Sequence, residues 1–184
     1  MVTIARSLRT LPLSTLYRSG TNESSFAASI GILLLFALVS EVPFDLSRKL
    51  VPFDPTYQNV FFTLFLSYLA LCAYEAFRNR PALRAACVLG LALLSMGFIC
   101  DYGPRGFGLV FAIYVLRSNA LAYTVIGSCI LTSTWRSALA FVPINLYNGK
   151  RGFVRGPILK FAFYAFYPAH LLLLWWMRLK LTGA

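Results

Sequence analysis

Apolar residues run in blocks along this chain, and short polar clusters rich in arginine separate the blocks. The blocks are Phe26 to Ser40, Val60 to Phe77, Ala82 to Cys100, Phe107 to Leu116, Ala120 to Thr132, Ala138 to Tyr147 and Ile158 to Trp176. Several lie at or below the ~17 residues that a helix needs to cross a bilayer. Backbone polar groups in hydrocarbon must be satisfied within their own segment, so the pattern predicts helices throughout. The short blocks predict tilted, broken or half-membrane helices. The expected fold class is all-α, a polytopic helical membrane protein with roughly six to seven membrane helices.

Composition sharpens this picture. Hydrophobic residues make up 59% of the 184 residues and charged residues 12%, about half the ~25% of soluble domains. A soluble core of this size would need a polar shell that the chain cannot supply. The formal charge is +11, but the basic residues fall between the apolar blocks. They therefore point to membrane topology and anionic headgroups as partners, and no nucleic acid is expected. Cys72, Cys87, Cys100 and Cys129 lie in or at the ends of apolar runs without CxxC spacing. They read as packing residues, and with one histidine in the chain no metal site is expected.

With the N-terminus in the cytoplasm, Arg6, Arg9, Arg18, Arg78, Arg80, Arg84, Arg117, Lys150, Arg151, Arg155 and Lys160 fall on the cytoplasmic side. Arg48, Lys49, Arg105, Arg136, Arg178 and Lys180 fall on the other. The bias favours this orientation. Residues 1–24 are basic and Ser/Thr-rich, without the apolar core of a secretory signal. They read as a disordered cytoplasmic leader before a single transmembrane domain at 25–184.

Four patches could carry chemistry. His170, the lone histidine, lies within the last apolar block, where an ionisable side chain is a functional hypothesis by default. Pro168 is expected to break that helix, and Phe163, Tyr167 and His170 to share one stripe. Glu41 and Asp45 flank Pro43 and lie one turn apart if the helix persists. Such a pair could bind a cation, orient a histidine or act as a base; otherwise Asp45 caps a short helix and Glu41 pairs with an arginine. Asp101 precedes the turn Gly103-Pro104-Arg105-Gly106, with Arg105 near enough to pair with it. Asn148-Gly149 signals a turn followed by Lys150, Arg151 and Arg155. This basic mouth could hold the phosphates of a nucleotide-like cofactor such as coenzyme A, or contact lipid headgroups.

Ser40-Glu41-Val42-Pro43-Phe44-Asp45-Leu46, Asn59-Val60-Phe61-Phe62-Thr63-Leu64, Asp101-Tyr102-Gly103, Leu146-Tyr147-Asn148-Gly149-Lys150-Arg151-Gly152 and Phe163-Tyr164-Ala165-Phe166-Tyr167-Pro168-Ala169-His170-Leu171 occur in this order. Together they resemble the TraX family. The resemblance implies a multi-pass inner-membrane protein similar to integral-membrane acyltransferases. It implies acetyl transfer from acetyl-coenzyme A (acetyl-CoA) to the N-terminus of the conjugative pilin, or to another exported or membrane-proximal acceptor. Family members carry further helices upstream of the Ser-Glu-x-Pro-Phe-Asp string, so this chain is expected to be N-terminally shortened. By resemblance, His170 is the leading catalytic group. Glu41, Asp45 and Asp101 would orient it, bind the acceptor or complete a proton path, and Lys150, Arg151 and Arg155 would hold the cofactor. The competing classes are a non-catalytic membrane protein and a small proton-coupled transporter.

Overall fold

The structure is a computed structural model that describes residues 23–131, 135–146 and 157–182. Most of the leader, and the basic loop with Lys150, Arg151 and Arg155, lie outside the described residues. The elements are α1 (Glu23–Lys49), α2 (Val60–Ala76), α3 (Pro81–Gly97), α4 (Gly103–Val115), α5 (Ala120–Ile130), α6 (Trp135–Leu139), α7 (Val142–Asn145) and α8 (Pro157–Thr182). Among the described residues the fold is all-helical, as the blocks predicted. The sixth block is the exception in detail, because it forms two short helices rather than one.

Local chemistry sets most of the ends. Asn59 and Asn119 cap α2 and α5, their side-chain oxygens accepting from the N–H groups of Phe61 and Ala122. Pro81 and Pro104 sit in the first turns of α3 and α4, where a missing N–H costs nothing. The chain leaves α1 and α3 through left-handed residues, Leu50 at φ 62° and Ile99 at φ 42°. Neither is glycine, so each position stores strain of about 1–2 kcal/mol. Pro43 and Pro168 lie inside continuous helices. The helices continue through both prolines, because a single missing backbone bond is tolerated where neighbouring helices pack on the segment.

α1 packs between α2 and α8, α2 also packs on α3 and α4, and α5 packs on α4 and α6. α1 and α8 run parallel. Phe36 stacks on Tyr164 with ring centroids 5.0 Å apart, and further along Arg178 donates to the carbonyls of Ser47 and Arg48 at 3.0 and 2.6 Å. α2 and α3 form an antiparallel hairpin. Its open end is closed where Asp101 N–H donates to the Gln58 carbonyl at 2.9 Å. α6 and α7 return alongside α5, with Phe141 beside Tyr123 and Asn145 bonded to the Tyr123 hydroxyl and Thr124.

On α1 the buried positions are Leu33, Phe36, Ala37, Ser40, Glu41, Pro43, Phe44 and Asp45, a single stripe at helical spacing. Leu35, Leu38, Val39 and Val42 lie on the other face, each about half exposed. α8 repeats this arrangement with Leu171 buried, Tyr164 and Tyr167 half-buried, and Phe161, Phe163, Phe166, Leu173 and Trp176 exposed. Phe163 therefore faces away from the stripe it was expected to share with Tyr167. Among the described residues, one helix, Ala28–Lys49, is long and apolar enough to cross a membrane, and Val60–Ala76, Pro81–Gly97 and Ala120–Ile130 are shorter apolar helices.

The α2–α4 crossing is a close contact. A Cβ on Gly106 would press on Tyr102 and meet Thr63 Cγ2 at 2.9 Å, whereas one on Gly108 would meet its nearest neighbour at 3.9 Å. Gly106→Ala is expected to lower stability in detergent by about 1–3 kcal/mol through overpacking. Gly108→Ala should leave it unchanged or slightly raised. Equal melting temperatures for the two variants would show that the crossing tolerates a side chain.

Candidate functional site

The buried stripe of α1 turns polar over its last turns, and α2 begins opposite it. Asn59 is fully buried between them. Its Oδ1 caps α2 by accepting from Phe61 N–H at 2.9 Å. Its Nδ2 donates to Glu41 Oε2 at 2.5 Å and to the Ala37 carbonyl at 2.7 Å. Ala37 allows this approach because its side chain is small. Glu41 also accepts from the Asn59 backbone N–H at 3.4 Å. One asparagine thus satisfies the start of α2 and holds a carboxylate of α1 in the interior.

Asp45 follows one turn later and is 1% exposed. Its Oδ2 accepts from the Asp54 N–H at 2.7 Å, which draws the loop after α1 over the site. Asp54 in turn accepts from the Thr56 N–H and hydroxyl at 3.2 and 2.7 Å and pairs with Lys49. Lys49 first, then Thr56, holds the Asp54 carboxyl down at about 2. The loop continues to Tyr57, which stacks on Phe44 and lies under the Arg48 guanidinium at 3.9 Å. Burial, then the nearby Asp101 carboxylate, raises the Tyr57 phenol above its ordinary range, so it remains a donor. Its hydroxyl reaches the Asp101 carbonyl at 3.2 Å and carboxylate at 3.4 Å.

The loops after α1 and α3 therefore meet at one end of the bundle and bring Glu41, Asp45 and Asp101 together. Glu41 and Asp45 are buried, and Asp101 is exposed at the rim. Asp101 takes Tyr57 as its partner, and Arg105 is exposed rather than paired with it. Glu41 takes Asn59 where an arginine was one expectation. Glu41 Oε1, Asp45 Oδ1 and Ser40 Oγ remain buried without a hydrogen-bond partner. Carboxylate oxygens left in this state are suited to holding a proton or a cationic amine.

α8 approaches the same cluster through Tyr167. Its ring meets Phe61 edge-on at 5.0 Å, near the start of α2 and close to Glu41 and Asp101. His170 lies one turn on. It is half-buried, with its ring 5.3 Å from those of both Phe166 and Tyr167. His170 Nδ1 lies 3.0 Å from the Phe166 carbonyl. A carbonyl can only accept, so Nδ1 donates there, which leaves Nε2 as the nitrogen whose lone pair a neutral ring presents. Histidine and carboxylates thus share one end of the bundle, joined through Tyr167.

Sequence reasoning missed Asn59, Tyr167, Ser40 and Tyr57 as site residues. An asparagine immediately before an apolar run is a capping signal and could have marked Asn59. Tyr167 was legible as the neighbour of His170 on one helical stripe, and Ser40 as the head of the Ser40–Leu46 string, whereas nothing local marks Tyr57.

The family model for TraX proteins matches residues 14–178. The chain belongs to the TraX family. Membership links it to conjugation and to the pilin, and the strings that carried the resemblance supply most of the site. In this TraX protein the Ser40–Asp45 string gives the buried carboxylates, the Asn59–Leu64 string the tie to α2, and the Phe163–Leu171 string Tyr167 and His170. Comparison with curated proteins and with solved structures yields no match.

Two predictions follow from these bonds. Asn59→Ala removes the cap and leaves Glu41 without its donor, so it should cost about 2–4 kcal/mol. Asn59→Asp keeps the cap but sets two carboxylates together, and should be no better. Thermal unfolding in detergent measures both, and a loss under about 0.5 kcal/mol for either would remove Asn59 from its central place. The second concerns pH. The folded value of Asp54 lies below its unfolded value of about 3.9, so its contribution is present above pH ~4 and lost as pH falls through about 2. Asp54→Asn should abolish that part of the acid sensitivity. An unchanged difference between denaturation midpoints at pH 4.5 and pH 2 would contradict it.

Proposed function

We propose that this TraX protein is a multi-pass protein of the bacterial inner membrane that transfers an acyl group, acetyl from acetyl-CoA, to pilin or to another exported or membrane-proximal acceptor. The observation that carries this reading is the Glu41–Asn59 cluster. Ionisable and hydrogen-bonding groups are gathered inside a bundle whose outer face is leucine, valine and phenylalanine, and membrane interiors retain such groups for function. The exposed apolar face supports the membrane assignment, because water-facing surfaces rarely expose contiguous apolar patches of this extent. The alternating helix directions support several crossings, with α2 (17 residues) about 26 Å long and suited to a thin or locally thinned bilayer.

In this reading the acceptor amine sits against Glu41 and Asp45. His170 removes its proton at Nε2 as the nitrogen attacks the acyl carbonyl, and returns a proton to the leaving thiolate. Tyr167 positions His170 by ring contact and links it through Phe61 to the start of α2. Asp101 and Tyr57 close the rim against bulk water. Lys150, Arg151 and Arg155 hold the phosphates of the acyl donor. Coenzyme A, when bound, supplies an acyl thioester activated toward amines. The cytoplasmic N-terminus and cytoplasmic Asn148–Pro157 loop put the donor on the side where it is made.

The test is transfer of labelled acetyl from acetyl-CoA to a pilin N-terminal peptide by protein reconstituted in vesicles. His170→Ala and Glu41→Gln should each lower the rate by about 10²–10⁴-fold. His170→Gln should be as inactive as His170→Ala, because glutamine bonds but does not shuttle a proton. Normal transfer by His170→Gln would make the histidine structural. Modification of a Gly149→Cys variant by an impermeant reagent outside intact cells would reverse the orientation.

A further inference from the structure

Two loops close over the carboxylates and meet along a seam. One, residues 50–58, joins α1 to α2, and the other, residues 98–102, joins α3 to α4. Along the seam Gln58 N–H donates to the Ile99 carbonyl at 3.4 Å, and Asp101 N–H to the Gln58 carbonyl at 2.9 Å. Gln58 and Cys100 stand opposite each other in this short parallel pairing. The Tyr57 hydroxyl adds its bonds to the Asp101 carbonyl and carboxylate.

Apolar packing does little to hold the seam shut. Val51, Phe53, Phe98 and Ile99 are exposed rather than packed into the bundle, Phe53 at 67%. Each loop also contains a left-handed residue near its root, Leu50 at φ 62° and Ile99 at φ 42°. Leucine and isoleucine disfavour that conformation, so parting of the loops relieves strain at both roots. Against that relief stand hydrogen bonds near the surface, each a modest net gain.

Beneath the seam, Glu41 and Asp45 are 8% and 1% exposed, so an acceptor from solution reaches them only when their cover moves. One loop also occupies the place that a ligand would take. The Asp54 N–H donates to Asp45 Oδ2 at 2.7 Å, while Asp45 Oδ1 and Glu41 Oε1 are buried without a hydrogen-bond partner. An ammonium group brings three N–H donors and a positive charge, and so bonds a buried carboxylate more strongly than one amide does. It can therefore displace Asp54 from Asp45, and the loop that carries Asp54 comes away with it.

We propose that the loops at residues 50–58 and 98–102 form a gate over Glu41 and Asp45, which parts along the Gln58–Cys100 seam when the acceptor's ammonium group takes the place of the Asp54 N–H on Asp45. The identity of that group rests on the acyltransfer reading, and the gate itself does not. An acylated amine is neutral and keeps a single N–H, so the product loses the advantage over Asp54 and the loop returns.

The experiment uses the full chain in nanodiscs. Gln58→Cys places a thiol opposite the native Cys100, at the spacing of neighbouring strands that a disulfide spans. The readout is labelling of Glu41 and Asp45 by a water-soluble carbodiimide with glycine ethyl ester, followed by mass spectrometry. Oxidised Gln58→Cys should label about tenfold or more slowly than the wild type, and a reductant should restore the rate. Gln58→Cys combined with Cys100→Ser forms no bridge and should follow the wild type under oxidant. Tyr57→Phe keeps the ring on Phe44 and loses the bonds to Asp101, so labelling should rise roughly two- to tenfold. Size-exclusion profile and helical content check that each variant is folded. Failure of the bridge to form, labelling that the bridge does not slow, or no rise with Tyr57→Phe would overturn the gate. Labelling needs no acyl transfer. Absent transfer with labelling that the bridge controls would therefore refute the enzyme reading and leave the gate standing. Transfer at the normal rate with the bridge closed would refute the entry route and leave the enzyme reading standing.

Discussion

The hydrogen bond from Asn59 to Glu41 is the constraint on which the rest of this structure depends. In an apolar interior a carboxylate without a donor is costly, and so is a helix start without an acceptor. Asn59 answers both requirements with one side chain, and its contact with the Ala37 carbonyl fixes how closely α1 and α2 cross. The position of α2 then sets where Val60 and Phe61 meet Tyr167, and so the rotation of α8. It also sets Thr63 against Gly106, and so the approach of α4.

Strain accompanies this arrangement. Leu50 and Ile99 adopt left-handed backbone conformations at the exits of α1 and α3. Each begins a loop that turns back over the carboxylates, one through Asp54 and Tyr57, the other through Cys100 and Asp101. Bonds between these loops hold both residues in conformations that leucine and isoleucine disfavour. Arg178 fastens the same end from α8 by satisfying carbonyls at the last turn of α1. Strain held this way recurs around functional sites, where surrounding contacts over-determine the backbone.

The two ends of the bundle differ in chemistry. One gathers buried carboxylates, an asparagine, a tyrosine and a histidine. The other presents four arginines, Arg78, Arg80, Arg84 and Arg117, the last two stacked on Tyr74 and Tyr114. The separation follows from helix direction, since parallel α1 and α8 carry Glu41, Asp45 and His170 toward the same end while the α2–α3 and α4–α5 turns lie at the opposite one.

Much of this protein is legible along the chain, because helix formation in apolar blocks is a local consequence of backbone hydrogen bonding. The blocks became α1 to α5 and α8 within a few residues, except that α1 and α8 extend beyond theirs. The prolines misled, because the cost of a missing backbone bond is local but its remedy lies in neighbouring helices. Periodicity could not assign the inward face of α1. Ser40, Glu41 and Asp45 occupy the interior stripe while Leu35, Leu38 and Val39 face out, the reverse of a water-soluble helix. That His170, Glu41 and Asp45 share an end also follows from order along the chain once helices alternate. Only packing decided that Asn59 would hold Glu41, that Tyr57 rather than Arg105 would engage Asp101, and that Tyr167 would stand between the carboxylates and the histidine. Those contacts join residues from 18 to 44 positions apart or on helices that meet only in the folded bundle. No local rule spans such separations, because the choice of partner depends on rotations and crossings that the whole bundle settles together.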